Sequence, residues 1–265
     1  MKKIITLILT LALGLTAVFS LTACGKKDKV VEPGSTIVVG VTDYAPMDYL
    51  EDGKWVGFDA DLATKVFTNL GFKVEFKEID WDTKIVTLNA GTIDCIWNGM
   101  TVNNELLDNL LLTNVYLKNQ QVAVMKTANA DSYNTLNDIK NKNVAVESGS
   151  AAESACEDIG CGNISKLTNQ VTALLNVSTN QADVAIVDYA LAKELTSEGG
   201  SYYGTLTMKN IGFEIENFSA AVRKSDSKLL WQINEQIALL TADGTVATLA
   251  ETYGILNQLP ANFVD

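Results

Sequence analysis

The sequence predicts an α/β fold in which two Rossmann-like units share one plan. Short β-branched runs alternate with amphipathic helical segments, the pattern of parallel sheets covered by helices. The alternation restarts after Asp131, and polar turn residues stand just past the strands, where open parallel sheets form their ligand crevices.

"TIVVGV" (Thr36 to Val41) is the opening strand. "FDADLATKVFTNLG" sets Leu62, Val66, Phe67 and Leu70 on one helical face and stops at Gly71. A strand at "KVEFKEI", a short helix around "KIVTLNAG", the strand "TIDCIW" and the apolar strand "QQVAVM" follow. The second unit reads "KNVAVE", a helix after "SGS", a helix or turn near "VTALLN", the strand "ADVAIV" and the helix "YALAKEL". Past "FSAAVRK", the amphipathic "SKLLWQINEQIALLTADG" and one short helix close the chain.

Residues 1–23 read as an export signal, because Lys2 and Lys3 precede an apolar run that closes on small residues before Cys24. The following stretch, residues 24–35, is polar with Gly and Pro, the composition of a flexible tether. Without the signal the chain loses two lysines and no acid, so its formal charge moves from −12 to −14. Such acidity argues against a nucleic-acid partner, which requires clustered Lys and Arg. The absence of histidine excludes Ser-His and Cys-His nucleophile pairs and imidazole zinc sites, and no metal or cofactor is expected. Arg223 is the one arginine. Cys95, inside an apolar strand, reads as buried packing. Cys156 and Cys161 are candidates for a disulfide, because Gly160 can end the helix and fold Cys161 back within bonding range.

The crevice rule selects Asp43 and Tyr44, Asn98 to Thr101, Ser148 to Ala151, and Asp188. "ESGSAAES" presents a helix start whose unpaired N–H groups suit a carboxylate, and equally a plain Ser150 cap. Asp188 can accept from a ligand ammonium group or cap the helix that follows; its residue type alone favours the cap. Tyr44, Trp81 and Trp97 can form an aromatic wall or belong to the core. Asp80 and Asp82 resemble a catalytic carboxylate pair, but adjacent surface acids are usually solvated.

Several stretches together carry a family resemblance: "GFDADLATKV", "DWDTK", "GTIDCIWNGMTV", "NQQVAVM", "DIKNKNVAVESGSAAE", "ADVAIVDYALA", "AAVRKSDSKL" and "ADGTVATLAETYG". From about Thr36 to Asn262 the chain resembles bacterial extracellular solute-binding proteins of family 3, the polar amino-acid receptors of ABC importers. "LTAC" (Leu21 to Cys24) resembles a lipobox, which implies a lipidated Cys24 and an extracytoplasmic protein anchored to the cell membrane, in a periplasm or on the outer face.

The resemblance implies the periplasmic binding protein-like type II fold, with two lobes joined by two hinge strands at "QQVAVM" and "SAAVR". Residues 36–126 with 223–265 would form lobe 1 and residues 127–222 lobe 2. It makes Tyr44 and Trp81 aromatic walls, and gives the ligand amine and carboxylate to Asn98, Gly99 and Thr101. Ser150 and Ala151 would take the carboxylate, and Asp188 the ammonium.

One departure stands out. Family members place an arginine after the acid aligned with Glu105, and it forks onto the ligand α-carboxylate; here Leu106 holds that position. Losing a charge-assisted pair of about 1.5–3 kcal/mol costs roughly tenfold to a hundredfold in affinity. Alternatively, Leu106 covers an apolar part of a ligand without that carboxylate. Glu147 and Asp188 in an aromatic-lined cleft suit an amine or a basic side chain. The expected function is a non-enzymatic, monomeric importer receptor for an amino acid or derivative, working with a membrane permease. The alternatives are a periplasmic dehydratase-like enzyme on the same scaffold and a stand-alone sensory module.

Overall fold

A computed structural model describes residue 32 and residues 34–263. The export signal, Cys24 and most of the expected tether lie outside the described residues. The first sheet has the order β4-β1-β5-β13-β6: β1 is Thr36–Val41, β4 Lys73–Glu78, β5 Cys95–Ile96, β6 Leu110–Leu112 and β13 Ala221–Arg223. Within it β1 runs parallel to β4 and β5, while β13 is antiparallel to β5 and β6. Val39 and Val41 pack with Leu62, Val66 and Phe67 of helix α1 (Phe58–Asn69), the apolar face expected from the sequence.

The second sheet has the order β11-β7-β10-β8-β9, with β7 at Leu117–Lys126, β8 at Asn143–Glu147, β9 at Asn163–Leu167, β10 at Val184–Asp188 and β11 at Leu206–Lys209. Its three parallel strands, β9, β8 and β10, carry near-continuous apolar runs only at β8 and β10, which are buried on both faces. β9 is the exposed edge, and its pattern "NISKL" is correspondingly polar. The two sheets give the two Rossmann-like lobes of the type II fold.

The chain passes between sheets twice. β12 (Ile215–Phe218) pairs antiparallel with Leu117–Gln120 of β7, and the chain then enters β13 through Ser219 and Ala220. Those two residues are held by Ser219 N–H donating to the Met100 carbonyl at 3.0 Å and Ala220 N–H donating to Thr113 Oγ1 at 3.0 Å. The expected crossing strand "QQVAVM" instead runs within the second sheet, Gln121–Val124 paired with β10 and Ala123–Lys126 with β11. Between β6 and those pairings the chain runs through Leu117–Gln120, the residues that pair with β12. An apolar run reports burial on both faces, which is the same in either sheet.

The strand expected at "TIDCIW" is only two residues long. Helices α2 (Lys84–Asn89), α4 (Ala151–Asp158), α5 (Gln170–Ser178), α6 (Tyr189–Thr196), α7 (Ser227–Ala242) and α8 (Thr245–Thr252) fall where helical segments were expected, and a further short helix, α3 (Asn104–Asn109), follows the turn after β5. A hairpin of β2 (Tyr49–Glu51) and β3 (Lys54–Val56) was not anticipated. Its turn, Asp52-Gly53, has positive φ at both residues, the signature of a two-residue hairpin loop.

Candidate functional site

The ends of β1, β5, β8 and β10 converge on one cleft. Of the residues selected from sequence, Tyr44, Trp81, Asn98, Gly99, Thr101, Glu147, Ser150, Ala151 and Asp188 all line it. Thr42, Gln121, Ala152 and Gln170 line it as well and were not singled out.

Asp43, Met100, Ser148 and Gly149, which the strand-end rule also selected, do not line it, nor do Leu106 and Trp97. Leu106 is 1% exposed and packs with Trp81, Leu88, Met100 and Ala221, so it supports the cleft from beneath and does not line it. The short helix α3 turns that position into the core, where a leucine replaces any need for a charge partner. Trp97 is likewise fully buried, stacked at an edge against Phe67 and tilted against Tyr116.

The turn after β5 is fastened inward. Thr42 donates from its N–H and its hydroxyl to Asn98 Oδ1 at 2.9 and 2.7 Å, and Asn98 Nδ2 donates to Asp48 Oδ2 at 2.7 Å. The Asn98 amide is thereby committed to the protein, leaving its backbone to face the cleft. Gly99 N–H donates to Asp59 Oδ2 at 2.6 Å, and the Tyr116 hydroxyl to the same oxygen at 2.8 Å. Burial pushes the Asp59 carboxyl up to about 7 although these donors pull it down. Gly99 itself has φ +52, and a Cβ there would stand 2.4 Å from the Tyr44 ring. Glycine is what lets Tyr44 lie flat against this turn.

Asp188 does not cap α6; its carboxylate turns into the cleft wall and accepts from three amides. Asn119 and Gln121 donate to Oδ1, and Gln170 donates to Oδ2 at 2.6 Å. Gln170 closes the loop by accepting from the Asp188 N–H at 2.9 Å. Asn119 and Gln121 also donate to Glu216 Oε2, which takes the Thr101 hydroxyl at 2.9 Å. Burial and then the Glu216 charge raise the Asp188 carboxyl to about 6 against the pull of its amide donors.

Glu147 is different. It is 4% exposed, and its Oε1 has no hydrogen-bond partner. Burial first, then the neighbouring Asp188 charge, push its carboxyl up to about 8. The Tyr44 hydroxyl, in the same cleft and 2% exposed, stands beside Asp188; burial first, and then that carboxylate, raise it well above the ordinary tyrosine range.

α4 begins at Ala151, just past the turn that follows Glu147. Ser150 Oγ accepts from Glu153 N–H at 3.2 Å, so the hydroxyl caps its own helix, and Glu153 accepts from Gly149 N–H at 2.7 Å. The N–H groups of Ala151 and Ala152 belong to the first turn, where no carbonyl four residues back serves them within the helix, and both residues line the cleft. Together with the positive end of the helix dipole they form an anion seat.

A contact that the sequence reading missed joins the two sides. Lys84 Nζ, on α2, donates to the Trp81 carbonyl at 3.1 Å and to the Gly149 carbonyl at 2.8 Å, and sits 4.8 Å from the Trp81 ring centroid. Burial lowers its pKa while the carboxylates around it act the other way. Gly149, at φ +70, presses so close that a Cβ would meet Asp82 Cα at 2.7 Å. A lysine in an amphipathic helix normally reads as a solvated face, so its single-sequence signal was weak.

Cys156 and Cys161 are free thiols in this structure, as is the buried Cys95. The chain does fold back at Gly160, with Cys161 N–H donating to the Cys156 carbonyl at 2.9 Å. Burial, and then the adjacent Cys161 thiol, raise the Cys156 pKa. Among the described residues no cluster of His, Cys, Asp and Glu could hold a metal ion, and no helix is long and apolar enough to cross a membrane.

The chain is similar to known proteins in sequence and fold. The chain is 26% identical over 231 residues to the L-cystine-binding protein TcyJ of Escherichia coli (strain K12), covering 86% of each chain. An ABC uptake transporter substrate binding protein from Streptococcus pneumoniae, solved with bound histidine, matches with a TM-score of 0.76 and 30% identity over 82% of this chain and 92% of that one. An ancestral arginine-binding protein solved with glutamine matches with a TM-score of 0.79 and 31% identity, over 85% of this chain and all of that one. Over residues 37–255, the chain matches the model of, and belongs to, the bacterial extracellular solute-binding proteins, family 3.

Proposed function

We propose that this protein is the substrate-binding receptor of an ABC importer and captures an amino acid or a close derivative between its two lobes. The observation that carries the reading is the cleft's chemistry: first-turn N–H groups of α4 and the buried carboxylates that end β8 and β10 line the same space. An α-amino acid presents a carboxylate to the former and an ammonium to the latter. Ser150, Ala151 and Ala152 take the carboxylate without an arginine, and Asp188 takes the ammonium together with the Gly99 carbonyl and Thr101. Tyr44 and Trp81 flank the rest of the ligand. The relatives named above bind cystine and histidine, and an arginine-binding ancestor holds glutamine, which supports an amino acid and leaves open which one.

Closure works as a hinge where the chain passes between the two sheets, near residues 113–120 and 215–221. The export signal at residues 1–23 and the lipobox cysteine Cys24 support a monomer held by lipid to the outer surface of the cell membrane, where it meets the permease.

A thermal-shift panel tests this, with the amino acids run beside their amides and decarboxylated amines. Ligand at a hundred times Kd raises stability by about 2.7 kcal/mol, so a true ligand separates clearly. A shift by an amino acid and none by its amide supports the α4 seat; a shift by carboxylate-free amines alone removes the amino-acid assignment.

A further inference from the structure

We propose that Cys156 and Cys161 close into a disulfide once the chain is exported, a staple across the end of α4. The inference goes beyond ligand capture and takes from the reading above only the oxidising location. The end of α4 is shaped to bring these two residues together. Gly160 takes φ +79, its N–H donates to the Glu157 carbonyl at 3.0 Å, and Cys161 N–H donates to the Cys156 carbonyl at 2.9 Å. These are the two paired bonds of a Schellman turn, in which the residues at the positions of Cys156 and Cys161 commonly touch. Standard bond lengths across the second bond hold the two Cα atoms within about 6.8 Å, inside the span of about 4.4–6.8 Å that a disulfide bridges.

The side chains follow the backbone. Cys156 is fully buried in a cluster with Val144, Val146, Ala152 and Ile186, and Cys161 packs against that same cluster. Gly162 N–H donates to the Lys140 carbonyl at 2.9 Å, which fixes the chain just past Cys161. The exchange that makes the bond has an order. Cys161 is the partly exposed thiol; burial raises its pKa while Cys156 and Lys140 pull it down, whereas burial and then Cys161 both raise that of Cys156. The Cys161 thiolate therefore attacks an external disulfide first, giving a mixed disulfide and one released thiol. Cys156 then gives up its proton and attacks the Cys161 sulfur, displacing the second thiol. Two cysteine thiols are thereby oxidised to one disulfide, and the external disulfide is reduced to two thiols. The second step is internal to the turn and needs no exposure of Cys156. Cys95, buried in β5 of the other sheet, is the internal control.

The test exposes the purified protein to excess oxidised glutathione, alkylates it with iodoacetamide in denaturant, digests it with trypsin and weighs the peptides. Cleavage after Lys142 and Lys166 leaves both cysteines in one peptide, residues 143–166. That peptide is expected to be lighter by two hydrogens and to take no alkyl group, while the peptide of Cys95 is alkylated. Reducing the oxidised protein lowers its Tm by about 4–8 °C. Cys161→Ala, which has no staple to lose, melts at the same temperature with and without reductant. A peptide alkylated at both cysteines, or joined to glutathione or to a second molecule of the protein, overturns the inference and leaves the receptor reading untouched.

Discussion

Lys84 shows how much a single side chain can carry when its charge is placed between two backbones. Its ammonium reaches from α2 to the carbonyl of Gly149, at the start of the turn that leads into α4, and so ties the two sides of the cleft together. Each hydrogen bond from a charged donor contributes about 1.5–3 kcal/mol. Lys84→Met therefore weakens ligand affinity about tenfold, measured by calorimetry, with little change in the far-ultraviolet spectrum of the unliganded protein. Leu106 makes the opposite case. It lies in the core under Trp81, so Leu106→Ala opens a cavity and lowers unfolding stability by about 2–5 kcal/mol in a denaturant titration. A large loss of affinity with unchanged stability would instead mean that Leu106 touches the ligand. The sequence could flag this position only through its family pattern. Whether a leucine there points up into a cleft or down into a core depends on the helix it sits on, and that helix is six residues long.

At the scale of elements, most of the fold was legible because each element repeats a local signal. The α1 face, the strand ends and the "SGS" helix start follow from periodicity and capping chemistry; the strand ends pointed to Tyr44, Asn98, Gly99, Thr101, Ser150, Ala151 and Asp188, while Trp81 as an aromatic wall came from the family resemblance. The missing parts lack a local signal or hide it. β9 and β11 are edge strands with polar, partly exposed sequences, and β5 forms over two residues because its neighbours clamp it. The hairpin did carry a signal, Asp52-Gly53, which went unused because the flanking strands are three residues each. Sheet membership of β7 is decided by partners over fifty residues away, beyond any local pattern. Short elements should also depend on their caps. Asn103 Oδ1 accepts from Leu106 N–H at 2.9 Å at the start of α3. Asn103→Ala is expected to lower stability by about 1 kcal/mol, seen as a fall in Tm, while affinity for the ligand stays the same.

For the whole molecule, the buried carboxyls set the pH response. In the fold Asp188, Asp59 and Glu147 hold their protons to about 6, 7 and 8, above the ordinary 3.8, 3.8 and 4.5. Between roughly pH 4 and 8 the folded state therefore binds more protons than the unfolded chain, and stability falls as pH rises through that window. Their contribution is complete below the unfolded values and lost once pH passes the folded ones. The unliganded protein should melt at a higher temperature at pH 5 than at pH 8, the formal charge of −12 adding self-repulsion at the upper end. A melting curve flat from pH 5 to pH 8 would mean that these carboxyls are not buried as described. The central claim is that the cleft between the strand ends closes on one amino acid held by Asp188 and the α4 amides. Titration calorimetry of the protein and of Asp188→Asn against the full set of amino acids tests it most directly. The account predicts saturable one-to-one binding by at least one of them, weakened about tenfold or more in the variant. Absence of saturable binding by every amino acid, or equal affinity in Asp188→Asn, would contradict it.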